Sequence, residues 1–415
     1  MELRSESKQS SSRLAADPTD VRLHNTSLLL RLIWQADGIS RAQLSRSAGL
    51  SRSTVSDIVN SLLQHGLVTE SHVARSTGGR PPIVLRFQGD QFVIIGIEMG
   101  SSHISALTVD LHGHARVVYH CDHDVQQDPN GALRLMEQLI ERCLQASPNQ
   151  QAIGIGVAVP CPIDPLNPEQ LSARILPRWA SIRIGDHLQR RFGLSVFVDN
   201  DANLGALAEL WWGAGKGEEH FAYVKVATGV GAGLIIDGEI YRGSGGIAGE
   251  IGHTTIDAQG PLCRCGLHGC LEAVIGTQVL LQAVRAHAAQ FPDSPLPTHQ
   301  SLRLADLVQA ANDGDPLGKH IIQGAGRALG IAMANLLNLF NPSRIILSGS
   351  LTQAGDALIN PIQNTIESRA LWDSTTHTPV LISPLGDEAI AIGAATQVLA
   401  AAISNPTLFP IMETS

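Results

Sequence analysis

The chain has 415 residues, 44% of them hydrophobic and 16% charged, with a formal net charge of −9. That length predicts two or three domains, and the composition excludes a collagenous or wholly disordered chain. Residues 1–20 are polar and hold no apolar segment, so they read as a mobile tail and not as a signal peptide. The charge is unevenly divided. Residues 1–86 hold 11 Lys/Arg and 7 Asp/Glu, whereas the remainder holds 18 and 31. A basic head on an acidic body permits a local contact with a phosphate backbone that repels the rest of the chain.

Residues 21–88 read as three helices and a hairpin. The first helix is expected from about Asn25 to Asp37. In the stretch that follows, Ser40 and Gln43 form a capping box that starts a second helix at Arg41, and Gly49 breaks it. Ser51 caps a third helix. There Val55, Ile58, Val59, Leu62 and Leu63 recur at helical spacing and leave Arg52, Ser53, Thr54, Ser56 and Asn60 on the opposite face. A short, polar face of this kind suits a helix lying in the major groove of double-stranded DNA. Two β-prone runs around Gly78 and Gly79 predict a wing, and Arg80 at its tip is placed to enter a minor groove. The predicted DNA-binding residues are Ser51, Arg52, Ser53, Thr54, Ser56 and Arg80.

From Gln91 the texture changes to α/β. FVIIGIEMG, HISALTVDLHG and HARVVYH read as three consecutive strands, followed by a helix (131–146), the strand AIGIGVAVP and the strand of FGLSVFVDND. Asp199, Asn200 and Asp201 end that last strand just before a helix (202–211), where α/β folds place ligands. Then FAYVKVATGVGAGLIIDGEIY repeats the pattern of strand, glycine turn and strand. A long helix from about Pro316 to Phe340, the strand RIILSG and a last helix complete the chain. The apolar run from Ala389 to Ile403 is short and holds Gly393 and Gln397, so it is expected to be a packed helix and not a membrane span. The repeated pattern predicts two similar lobes, 89–200 and 201–415, with a cleft between them.

Of six cysteines, Cys121, Cys143 and Cys161 are scattered and read as core. Cys263, Cys265 and Cys270 lie close to His253. One imidazole and three thiolates form a tetrahedral, soft set suited to Zn²⁺, and the lack of a further ligand points to a structural site. His268 lies within the same loop and competes for the fourth position.

GEIGH at 249–253 followed by CRCGLHGCLE at 263–272 resembles the ROK family (repressors, open reading frames, kinases). SRAQLSRSAGLSRSTVS and GGRPP resemble its sugar-responsive repressor branch. The resemblance runs from about His24 to Val398. It implies a winged helix-turn-helix followed by a two-lobed, actin-like, ribonuclease-H-like sugar-kinase fold. It favours His253 over His268 as the metal ligand and implies that Asn200, Asp201, Glu250, His253 and Glu272 contact a sugar. Carboxylates, amides and an imidazole suit hydroxyls, which donate and accept at once. Trp179 reads as core, with stacking on a sugar as the alternative.

Asp201 matches the catalytic base of the family's kinases. Their first phosphate loop reads Asp-x-Gly-Gly-Thr-Lys, whereas residues 98–103 here are Glu98, Met99, Gly100, Ser101, Ser102 and His103. Ser348-Gly349-Ser350 has lost a glycine of the adenosine region, and only Thr228 to Gly233 keeps the form of a phosphate loop. Phosphoryl transfer depends on positioning, so no kinase activity is expected and no residue is assigned a catalytic role. The reading is a cytoplasmic bacterial regulator, a homodimer or homotetramer, that binds an operator under control of a sugar effector. The alternative is a sugar kinase with an attached DNA-binding domain.

Overall fold

The computed structural model describes residues 17–36, 38–72, 83–164, 167, 170–173, 175–298, 301–372 and 377–410. They fall into two compact units. One runs to Gly89 and includes the residues from Ala400 onward; the other is Asp90–Leu399.

The first unit comprises α1 (Pro18–Gln35), α2 (Arg41–Ala48), α3 (Arg52–Gln64), β1 (Val68–His72) and β2 (Ile83–Phe87). Helix α1 starts well before Asn25 and within the segment read as a tail. The Asp17 carboxylate accepts from the Thr19 amide, and Pro18 has its φ preset for a first helical turn. The Ser40–Gln43 capping box forms, and Gly49 ends α2 at φ 66°. Val55, Ile58, Val59 and Leu62 of α3 are buried. Strands β1 and β2 pair antiparallel from Val68↔Phe87 to His72↔Ile83. The expected wing tip with Gly78, Gly79 and Arg80 lies outside the described residues.

The C-terminal lobe expected to run to residue 415 ends earlier. Ser27 Oγ donates to the Ile403 carbonyl at 3.0 Å. Phe409, fully buried, meets the Phe87 ring edge-on at 6.2 Å. Burial of a large ring accounts for this return of the chain.

The second unit holds two five-stranded sheets. The first uses β3 (Phe92–Met99), β4 (His103–Val109), β5 (Ala115–Asp122), β6 (Gln151–Val159) and β7 (Ser195–Asn200), in the order β5-β4-β3-β6-β7. Helices α4 (Pro129–Gln145), α5 (Ile184–Phe192) and α6 (Asp201–Trp212) belong to the same stretch. The second sheet uses β8 (Phe221–Val226), β9 (Val230–Ile236), β10 (Glu239–Ile240), β11 (Ile345–Ser348) and β12 (Val380–Ile382), in the order β10-β9-β8-β11-β12. In each sheet the first three strands in sequence pair antiparallel and the last two add parallel. The internal likeness of the two halves is therefore one of topology. Helices α7 (Leu271–Ile275), α8 (Thr277–His287), α9 (Leu304–Asn312), α10 (Pro316–Phe340) and α11 (Asp356–Arg369) enclose a core with the second sheet.

The last helix, α12 (Ala389–Ser404), packs through its first turns on the first sheet, although the sequence places it after the second. Gly96 and Gly156 are register partners on β3 and β6. A Cβ at Gly96 would stand 2.0 Å from the Ala391 carbonyl oxygen, and one at Gly156 would stand 1.9 Å from that of Ala394. The paired glycines leave a flat floor on which the helix backbone rests. Ala158, Leu204, Leu207, Ile390 and Ala394 then form one cluster. Gly156→Ala is expected to lower the melting temperature by roughly 5 °C or more, read by thermal denaturation. An unchanged midpoint would show that the helix does not need this approach.

Candidate sugar and metal site

Asp201 and Asn200 owe their placement to the end of β7. Asn200 is the N-cap of α6, its Oδ1 accepting from the Ala202 and Asn203 amides at 3.0 and 3.1 Å. Asn200, and not Asp201, therefore takes the capping role. Asp201 Oδ1 accepts from the Ala202 amide at 2.7 Å and from Asn200 Nδ2 at 3.2 Å. Asp199 is buried and paired with Arg242.

GEIGH is shaped by its two glycines. Gly249 has φ +94°, and Cβ atoms at Gly249 and Gly252 would lie 1.9 and 2.1 Å from the carbonyl oxygens of Ala232 and Val230 on β9. The loop thus lies flat on that strand. Asn200, Asp201, Glu250, His253 and Glu272 all line one cavity, together with Gly100, Ser101, His103, Cys161, Lys225, Gly229 and Arg264. The structure brings together every residue assigned to the sugar. Trp179 is not among them: it is fully buried, and its indole nitrogen donates to the Val125 carbonyl at 2.8 Å.

Two cations in the cavity escaped the reading of the sequence. Lys225 Nζ lies 2.8 Å from Asp201 Oδ2 and 3.3 Å from Glu98 Oε1. Burial works against this ammonium, but Asp201 and Glu98 outweigh it and raise its pKa. Burial likewise works against the Glu98 carboxylate, yet Lys225 and His103 prevail and hold it down at about 2. Arg264 grips Glu272 with both arms of its guanidinium, Nε to Oε1 at 2.7 Å and Nη2 to Oε2 at 3.2 Å. The Val230 amide donates to Glu272 Oε2 at 3.2 Å. Burial, with Asp201 and Glu272 nearby, raises the pKa of Glu250.

Beside the cavity the ligand atoms of His253, Cys263, Cys265 and Cys270 all lie within 4.8 Å of one another. Cys263 Sγ is 3.6 Å from His253 Nδ1, and Cys265 Sγ is 3.6 Å from Cys270 Sγ. A tetrahedral ion with metal–sulfur bonds of about 2.3 Å requires sulfur–sulfur edges of about 3.8 Å, so the donors fit one metal ion. His253 turns Nδ1 to the thiols, and its Nε2 lies 3.9 Å from Glu250 Oε2. His268 takes no part; its Nδ1 is 3.2 Å from the Gly260 carbonyl oxygen. With burial and the neighbouring thiols acting together, the Cys270 thiol is pushed up to about 12. Cys143 and Cys161 are both buried in the core, Cys161 also lining the cavity, whereas Cys121 is half-buried and packs against that core.

In the first unit Ser51, Arg52 and Ser53 are exposed, while Thr54 and Ser56 are half-buried. Ser51 Oγ caps α3 by accepting from the Thr54 amide at 3.1 Å. Asn60, from the same face, is engaged by Arg41, whose other arm pairs with Glu70 at 2.9 Å. Arg41 thus ties α2 to α3 and the hairpin.

The ROK family model matches residues 94–401, and the MarR family model matches residues 25–74. The chain is 34% identical over 380 residues to the xylose repressor of Bacillus spizizenii, a match covering 91% of this chain and 95% of that one. It is 31% identical over 401 residues to the N-acetylglucosamine repressor of Escherichia coli, covering 95% and 96%. Among solved structures it matches a ROK family transcriptional regulator described as a homologue of the E. coli MLC protein. That match has a TM-score of 0.80 and 28% identity over 94% of this chain and 98% of the other. A ROK family glucokinase from Streptomyces griseus, in complex with glucose and AMPPNP, matches with a TM-score of 0.65 and 25% identity over 74% and 98%. The fold is a MarR-type winged-helix region followed by a ROK kinase-like domain, and the chain belongs to the ROK family.

Proposed function

We propose that this chain is a DNA-binding repressor whose hold on its operator is set by a sugar in the cavity lined by Asp201, Glu250, His253 and Glu272. The observation that carries the reading is the convergence of five hydroxyl-binding side chains in one cavity of a chain that also carries a winged-helix unit. The relatives named as xylose and N-acetylglucosamine repressors match over nearly their whole length. Asn200, Asp201, Glu250, Glu272 and His253 Nε2 hold hydroxyls, and Asn200 also orients Asp201. The three thiolates and His253 Nδ1 hold Zn²⁺. When bound, the ion supplies a fixed imidazole orientation, so that Nε2 faces the sugar.

Lys225 supports a cleft without phosphoryl transfer. The two carboxylates that match a kinase's phosphate-loop and base positions, Glu98 and Asp201, are joined by one ammonium. A base must be free to take a hydroxyl proton, and Asp201 is committed to Lys225. Turnover of labelled ATP at ordinary sugar-kinase rates, with a panel of sugars, would overturn this reading in favour of a kinase with a DNA-binding head.

Ser51, Arg52, Ser53, Thr54 and Ser56 are assigned to the major groove and Arg80 to the minor groove. Action on an operator places the chain in the bacterial cytoplasm. It acts as a homodimer or homotetramer, two heads meeting half-sites about one helical turn apart or a multiple of it. A bound sugar stabilises one arrangement of the two sheets and so changes the fit to those half-sites. In a gel shift on the chain's own upstream DNA, Arg52→Ala and Arg80→Ala are each expected to weaken binding by about 1–3 kcal/mol, roughly five- to 150-fold. Unchanged affinity in both would instead favour a protein-binding role for the winged unit.

A further inference from the structure

A groove of about 830 Å³ lies between α10 and α11. The two helices approach until their backbones nearly touch. A Cβ at Gly326 would stand 2.7 Å from the Leu358 carbonyl oxygen, and one at Gly330 would stand 2.9 Å from that of Ile362. Side chains four residues apart on each helix share a face, and they rise on either side of that line of contact. Lys319, Gln323 and Arg327 line one wall, and Asn360, Asn364 and Ser368 line the other. All six are exposed. The groove shares no residue with the cavity of Asp201 and His253, nor with the stretches 98–103, 228–233 and 348–350 that match kinase loops.

The cations of this groove are uncommitted. Elsewhere in the same unit Arg242, Arg264, Arg303 and Arg344 each hold a carboxylate. Among the described residues, neither the Lys319 ammonium nor the Arg327 guanidinium has an ion-pair or hydrogen-bond partner. One carboxylate, Asp356, lines the groove, and it pairs with neither of them. The two cations stand eight residues apart on α10, about 12 Å along its axis. Neutral amides and a hydroxyl lie between and opposite them.

This arrangement selects a ligand by its chemistry. The apolar part of the lining is alanine and proline, so an amphipathic helix would find little to bury. Nucleic acid is repelled by the acidic surplus of the body. A small molecule with an anionic group at each end meets both cations at once. Hydroxyls between those ends meet Gln323, Asn360 and Asn364, whose amides donate and accept. Arg327 can grip one phosphate with two parallel N–H donors, and Lys319 can meet the other as a point charge.

We propose that the α10–α11 groove is a second ligand site, which takes a small hydroxylated molecule bearing two phosphate groups. Isothermal titration of the full-length protein with fructose 1,6-bisphosphate and fructose 6-phosphate tests this. The bisphosphate is expected to bind more tightly than the monophosphate, by roughly tenfold, as one further charge-assisted contact allows. Lys319→Gln and Arg327→Gln are each expected to raise the Kd of the bisphosphate by roughly tenfold for the same reason. Asn364→Asp, which sets a carboxylate on the facing wall, is expected to raise it as well. All three positions are exposed, and the variants are expected to keep the wild-type melting midpoint. Binding of the bisphosphate that none of the three variants weakens would place it elsewhere on the chain and overturn the proposal. No binding, or binding no tighter than that of the monophosphate, would overturn it too.

Discussion

Cys270→Ser is expected to empty the metal site and to lower sugar affinity by roughly ten- to a hundredfold, the range seen when a residue that orients a metal-bound group is lost. The geometry behind this is a single imidazole that faces both the thiol cluster and the cavity. His253 Nδ1 stands 3.6 Å from Cys263 Sγ, and the residue also lines the cavity. Without the ion the ring loses the contact that fixes its tautomer. The wild-type protein is expected to carry about one zinc per chain by elemental analysis. Chelation should reproduce the loss of sugar binding. A separate readout guards against simple unfolding: operator binding without sugar is expected to persist, because Cys270 and the winged unit belong to different compact units. Full sugar affinity in metal-free Cys270→Ser would contradict the link between metal and ligand.

Lys225→Met is expected to cost about 3–5 kcal/mol of stability, since it strands two buried carboxylates that shared one ammonium. Adding Glu98→Gln and Asp201→Asn to it should recover much of the loss, because a cluster removed whole leaves no unpaired charge. The pH dependence carries a sign. In the wild type Glu98 is held at about 2, below its ordinary value of 4.5. Its contribution to stability is therefore complete above pH 4.5 and is lost as the pH falls toward 2. In Lys225→Met the ammonium no longer offsets burial, which raises the pKa of Glu98, so the variant should gain stability relative to wild type as the pH falls from 8 to 5. Thermal melts at pH 5, 6, 7 and 8 read both effects. Parallel curves for the two proteins would show that Lys225 does not govern these carboxylates.

The local parts of this molecule were legible in its sequence. The Ser40–Gln43 box, Gly49 and the stripe from Val55 to Leu63 act within a few residues of one another, and they take the expected form except that Leu63 is only half-buried. Helix α10 matches its expected bounds, with Asp315 capping its start and Asn341 in the left-handed region at its end. The His253–Cys270 cluster is local too, spread over 18 residues. The pairs that set the charge of the cavity were not legible. Glu98 and Lys225 stand 127 positions apart, and only the fold brings them together. A trace was present, since Lys225 is the lone charge in the apolar strand FAYVKV. The return of α12 to the first sheet was hidden in the same way. Its trace was a glycine inside each of two apolar strands, Gly96 and Gly156, where a close backbone was the reason for the missing side chain. Helices α8, α9 and α11 were missed because their packing partners lie elsewhere in the chain.

The most direct measurement is a gel shift on the upstream DNA, in which sugar is titrated against wild type and Asp201→Asn at fixed salt. Sugar is expected to release wild-type protein from the DNA, and Asp201→Asn is expected to bind the same DNA but ignore the sugar. Binding by the wild type that no sugar alters, or equal release of both proteins, would contradict a repressor governed through this cavity.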